Sequence, residues 1–157
     1  MIDGWVDYMK EVRDRIAPAS EPLVFHWSQA EISSLITAHN ATIQRHGQQG
    51  KSWASPQWFD FLTEVIRAEP VVMRGALGFG LKAIAQSMQK LGLIQTKWES
   101  GPVDGLGAMV GAWWCAQEAA KKNVALPQID LMKGIQEYNE VDCKVMMEIV
   151  RYLRVNH

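Results

Sequence analysis

Apolar residues recur at three- and four-residue steps along most of the chain, and this spacing predicts a succession of amphipathic helices. Ile2, Trp5, Val6, Met9, Val12 and Ile16 form the first such stripe, which ends before Pro18. The run Pro22-Leu23-Val24-Phe25-His26-Trp27 is continuous rather than periodic and predicts a buried strand feeding a helix. It is the only convincing strand in the pattern. Ser28-Gln29-Ala30-Glu31 has the spacing of a capping box, and Ile32, Leu35, Ile36 and Ile43 carry a second helix to about Arg45. Polar residues from His46 to Ser52 predict a loop. Pro56 suits an early helical position, and Phe59, Leu62, Val65 and Ile66 behind it predict a third helix over about 56–68, limited by Pro70. Val71-Val72-Met73 fits either a strand or an extended connector. The glycine-rich stretch from Gly75 to Gly80 leads into a helix from Leu81 to about Leu91, and further helices are predicted at about Leu106–Lys122 and Asp130–Arg154.

At 157 residues, with no linker, internal repeat or low-complexity tract, the chain is expected to form one domain, residues 1–157. Hydrophobic residues make up 48% and charged residues 21%, the balance of a globular protein. No apolar run approaches the roughly 20 residues of a membrane span, and the opening Met1-Ile2-Asp3-Gly4-Trp5 lacks a basic region followed by an apolar one. A cytoplasmic protein without membrane contact is expected. Cys115 and Cys143 have neither CxxC spacing nor nearby histidines, so no zinc site or disulfide framework is signalled. A net charge of −1 argues against a basic stripe gripping duplex DNA. It leaves room for an enzyme holding a strand terminus, where bound cations neutralise phosphate locally.

The last predicted helix carries the most chemistry. Ile135, Tyr138, Asp142, Val145, Ile149 and Tyr152 follow one another at steps of three, four, three, four and three, which places an aspartate within the apolar stripe. A carboxylate turned toward a core is costly unless it is paired or binds a metal, so Asp142 needs a partner. Tyr138 lies one turn earlier on the same face. A carboxylate holding a divalent cation, with a phenol to orient water, suits phosphodiester hydrolysis across two metals roughly 3.5–4 Å apart. A Tyr–Asp pair tied to backbone or to a basic residue fits the same spacing.

Tyr138-Asn139-Glu140-Val141-Asp142-Cys143 resembles the YxxxD third motif of DEDD-type 3′–5′ exonucleases of the ribonuclease H-like superfamily. The strand Leu23–Trp27 followed by Ser28-Gln29-Ala30-Glu31 is similar to the second motif of the predicted RecB-associated nuclease subgroup. Trp58-Phe59-Asp60-Phe61-Leu62 looks like that subgroup's aspartate-leucine helix start, and Gly80-Leu81-Lys82-Ala83-Ile84-Ala85 its serine-leucine-lysine helix start, with Gly80 replacing the serine. The resemblance implies that Asp142 and Glu31 bind Mg²⁺ or Mn²⁺, that Tyr138 positions the nucleophilic water, and that Lys82 and Asp60 lie near the substrate. Each residue also has a plainer reading: Glu31 completing the capping box, Asp60 favouring a helix start, Lys82 solvated.

The resemblance runs from Trp5 to Leu153 but begins after the family's first motif, an Asp-x-Glu on the first strand of a hairpin sheet. The early acids Asp3, Asp7 and Glu11 belong to a helix-period segment instead. The expected fold is therefore mainly α with one or two strands, the later half of an α/β ribonuclease H-like exonuclease. Such a module implies a single-stranded nucleic-acid 3′ end as substrate and needs a partner chain or longer product to supply the missing sheet. The alternative is a noncatalytic module of the same fold that oligomerises or covers a partner protein. His39-Asn40 falls mid-helix and Gly105-Leu106-Gly107 follows a polar stretch, so neither reads as a motif, and Trp113-Trp114 reads as core or interface.

Overall fold

A computed structural model describes residues 2–47, 56–69, 71–99 and 104–157. Most of the loop expected after His46, and Pro70 as a helix limit, lie outside the described residues. The chain forms two compact units, Met1–Val72 and Met73–His157. No composition shift marks the boundary at Val72, which is why the sequence reads as one domain.

The first unit begins with α1 (Ile2–Ile16), whose end is tied to the next segment by the ion pair of Arg13 Nη1 and Glu21 Oε1 at 3.1 Å. Strand β1 (Leu23–His26) follows, then α2 (Ala30–His46) and β2 (Gln57–Asp60). The strands are parallel, pairing Leu23 with Gln57 through His26 with Asp60.

Strand β2 corrects the helix expected from residue 56. Trp58 and Phe59 are aromatic residues that suit a pleated surface. Phe59 meets Phe25 edge-on at 5.2 Å between ring centroids, and Trp58 meets His26 at 5.5 Å. Cross-strand ring contacts of this kind override a helical spacing that rests on few positions. Helical structure starts only after Asp60, whose carboxylate accepts from the Thr63 amide at 3.2 Å and the Thr63 hydroxyl at 2.9 Å. The turns that follow, Leu62–Arg67, are π-helical and bury Leu62 and Ile66.

The capping box expected at Ser28 is not formed either. Gln29 precedes α2 without a side-chain cap bond, and Ser28 has a φ of 110°. The His26 ring donates from Nδ1 to the Ser28 carbonyl, so the strand end, not the helix start, fixes this turn.

The second unit holds α3 (Leu81–Lys90), α4 (Gly105–Lys122), a 3₁₀ turn (Leu126–Gln128) and α5 (Asp130–Asn156). Val71–Met73 is a connector without regular structure. Gly92 closes α3 at φ 71°, with its amide bonded to the Gln89 carbonyl and the Leu93 amide to the Met88 carbonyl, a Schellman motif that favours glycine. Ala108, Cys115 and Ala119 of α4 form a buried cluster with Ile129 and Ile135. Helix α3 packs on α5 and buries Ile84, Ala85 and Met88, while α5 buries Ile135, Tyr138, Val145 and Ile149.

Ile149 is 1% exposed. Ile149→Ala should destabilise the chain by about 2–5 kcal/mol, the cost of a core cavity, read as a lower urea midpoint with an unchanged slope.

Candidate functional site

The inward face of α5 carries Tyr138 and Asp142 as the spacing predicts, with Tyr138 buried and Asp142 half-buried. Two neighbours complete the cluster. Gly92 turns the chain back after α3 into an irregular segment, Leu93–Glu99, that runs antiparallel along α5. From it, Trp98 donates its indole Nε1–H to Asp142 Oδ1 at 2.8 Å. Lys82, in the first turn of α3, holds its ammonium 4.6 Å from the Tyr138 ring centroid and 5.6 Å from that of Trp98. Both distances allow cation–π attraction. The partner that Asp142 requires is thus an indole, with an ammonium nearby.

Burial pushes the Asp142 carboxyl above the usual aspartate range, against the opposing pull of the Trp98 hydrogen bond and the Lys82 charge. One and a half turns further along, Glu148 behaves differently. Its Oε2 accepts from the amides of Gln95 and Thr96 at 2.8 and 3.1 Å, and its Oε1 from the Thr96 hydroxyl at 2.7 Å. Burial pushes Glu148 up as well, but these three bonds outweigh it and hold the carboxyl below its ordinary value. Asp142 and Glu148 together clasp Leu93–Glu99 to α5.

The other expected site residues belong to the first unit or to the same cluster. Glu31 lies exposed in the first turn of α2. Asp60 stands at the end of β2, opposite His26; burial is the largest single influence and raises its carboxyl, but the Thr63 hydroxyl and amide and the nearby His26 together bring it below the usual range. Lys82 is half-buried against rings instead of extended into solvent. Trp98 was not legible as a site residue, because Lys97-Trp98-Glu99 reads as a polar stretch and gives no periodicity. His39 and Asn40 lie within α2, and Gly105 to Gly107 begin α4.

Trp113 and Trp114, expected as core or interface, are exposed and not part of the core. The buried face of α4 consists of small residues, and a Cβ at Gly111 would come within 3.1 Å of Ile135 Cδ1. That close approach leaves no room for indoles on the inner face and turns both outward.

The cluster offers one carboxylate, a phenol, an ammonium and an indole. A hard divalent cation takes about six oxygen ligands and is usually held by more than one carboxylate. Among the described residues no group of three or more His, Cys, Asp or Glu side chains converges. These residues alone do not make a complete metal site. No helix among the described residues is long and apolar enough to cross a membrane. Comparison with protein-family models, with curated proteins and with solved structures finds nothing that matches this chain.

Asp142 gives a sign-specific prediction. A carboxyl raised by folding contributes stability that is fully present below its unfolded pKa and is lost as pH rises through the folded value. Asp142→Asn, which keeps an acceptor for Trp98, should therefore be more stable than the parent at pH 7, and the advantage should vanish at acid pH. Urea titrations at several pH values measure this; a variant less stable at neutral pH would contradict it.

Proposed function

We propose that this chain is the later half of a ribonuclease H-like 3′–5′ exonuclease domain, a phosphodiester hydrolase acting on a single-stranded nucleic-acid end. It works only when a sheet bearing the missing Asp-x-Glu pair completes it. The observation that carries this reading is the placement of Tyr138 and Asp142 one turn apart on the inward face of α5. A carboxylate left there despite its desolvation cost fits a place where positive charge is meant to arrive.

Two features of the first unit support a missing sheet. Parallel strands are almost always covered on both faces and belong to larger sheets, yet β1 and β2 are the only two strands among the described residues. Helix α2 carries an apolar stripe but buries none of its residues, with Ile36 and Ile43 exposed. An added sheet would cover that surface. The order β1, α2, β2 is also a parallel crossover unit, the connection that a larger parallel sheet repeats.

In this reading Asp142 is one of the carboxylates for Mg²⁺ or Mn²⁺. Tyr138 positions water and Lys82 offsets phosphate charge. The absence of a converging acidic group among the described residues means that no hydrolytic step follows from this chain alone. The same absence, with Asp142 already bonded to Trp98, favours the second reading, a noncatalytic module of the same fold.

Paramagnetic broadening separates the two. Mn²⁺ added to the ¹⁵N-labelled chain should selectively broaden the Trp98 indole resonance, whose Nε1 lies 2.8 Å from Asp142 Oδ1. Asp142→Asn should require at least about tenfold more Mn²⁺ for the same effect, equivalent to about 1.4 kcal/mol of binding. Equal broadening in parent and variant, or none at Trp98, supports the noncatalytic module instead.

A further inference from the structure

Helix α4 presents a second apolar stripe on the side opposite its buried face. Leu106, Met109, Val110 and Trp113 recur at steps of three, one and three and are between 58% and 70% exposed. The buried residues of the same helix, Ala108, Cys115 and Ala119, lie about half a turn away around the axis. The outer stripe plays no part in holding α4 to α5. Large exposed side chains in one continuous row usually mark association.

We infer that this face is the contact between two copies of the chain, with α4 packed antiparallel against its counterpart about an axis near Trp113. The sequence of the stripe is asymmetric in a way that suits self-pairing. Its first half is bulky, whereas its second half continues through Ala116 and Ala120, both exposed. In an antiparallel pair centred on Trp113, Leu106 of one copy lies over Ala120 of the other, and Val110 over Ala116. At these two pairs a large residue meets a small one, while the two Trp113 rings meet at the axis. Away from the Trp113 pair, the alanines let the two helices pack within the usual range of about 8–10 Å between axes. Parallel pairing would set bulky residues against bulky ones and leave the alanines facing a gap.

Charge points the same way. Asp104 caps the first turn of α4, accepting from the Gly107 amide at 2.8 Å, and is exposed. Lys121 and Lys122 lie at the far end, where Glu118 offsets one of their two charges. Antiparallel pairing brings the acidic end of one helix to the basic end of the other and opposes their macrodipoles. Each contact is then made twice by symmetry, as an isologous interface requires.

A single pair of helices, 18 residues each, is about 27 Å long and buries less than the roughly 800 Å² per partner of a standard interface. The expected dimer is therefore weak, dissociating at about 10 μM. This proposal rests on α4 alone and stands or falls independently of the reading of Asp142.

Sedimentation velocity over about 1–300 μM tests it, a range that brackets the expected midpoint. The parent chain should shift from monomer to dimer across that range. Trp113→Glu should weaken association at least about tenfold by placing like charges on the axis. Ala116→Glu, at an exposed position where the helix itself tolerates glutamate, should do the same by blocking close approach. Met147→Glu, exposed on α5, should leave the dimer intact. Circular dichroism reports that each variant keeps its helices. A parent that stays monomeric throughout, or a dimer that survives both α4 substitutions, overturns the proposal.

Discussion

The second unit depends on two carboxylates of one helix holding a segment that has no regular structure of its own. Leu93–Glu99 forms no strand or helix, so its backbone needs hydrogen-bond partners from elsewhere. Glu148 supplies acceptors for the Gln95 and Thr96 amides, and Asp142 anchors the Trp98 indole nearer the start of α5. The segment connects α3 toward α4, so fixing it along α5 constrains the turn made at Gly92 and keeps Trp98 at the cluster. Hydrogen bonds to charged acceptors contribute about 1.5–3 kcal/mol when sheltered, and solvent access reduces that here. Glu148 makes the stronger hold because three donors converge on it.

The close packing of α4 on α5 sets what the outer surface carries. Small residues at positions 108, 111, 112, 115 and 119 let the axes approach, and Ile135 fills the space beside Gly111. A helix with its small residues inward must place its large ones outward or do without them. Trp113, Met109 and Leu106 are on the outside for this reason, and the same geometry that stabilises the unit leaves a row of apolar side chains uncovered. Inner packing and outer association are two results of one sequence pattern.

The helices were legible because each repeats an apolar spacing over three or more turns; α1, α3, α4 and α5 begin and end within about two residues of the positions that spacing predicts. Strand β2 was not, since Phe59, Leu62, Val65 and Ile66 also satisfy a helical period and only the rings of Phe25 and His26 across the sheet decide between the two. The capping box at Ser28 failed for a similar reason, as the buried ring of His26 takes the Ser28 carbonyl and sets its φ positive. At the cluster, periodicity identified Asp142 and Tyr138 on one face but could not reveal Trp98, which acts through a long-range bond from a non-periodic segment. For Trp113 and Trp114 the pattern left core and interface open, and the small inner face of α4 is the signal that excludes the core.

The chemistry of Asp142 separates what the fold needs from what it tolerates. To hold Trp98, the side chain needs one oxygen acceptor, and an asparagine would provide it without the cost of desolvating a charge. Burial raises the carboxyl, so ionising it in the folded chain costs stability relative to the unfolded one. Glu148 shows the contrasting case, in which three donors make the charge favourable. The negative charge at position 142 is therefore surplus to the clasp, and Lys82, engaged with the rings of Tyr138 and Trp98, offsets it only in part. Asp142 thus differs from Glu148 in carrying a carboxyl that its hydrogen bond does not require, beside a phenol on an inner face.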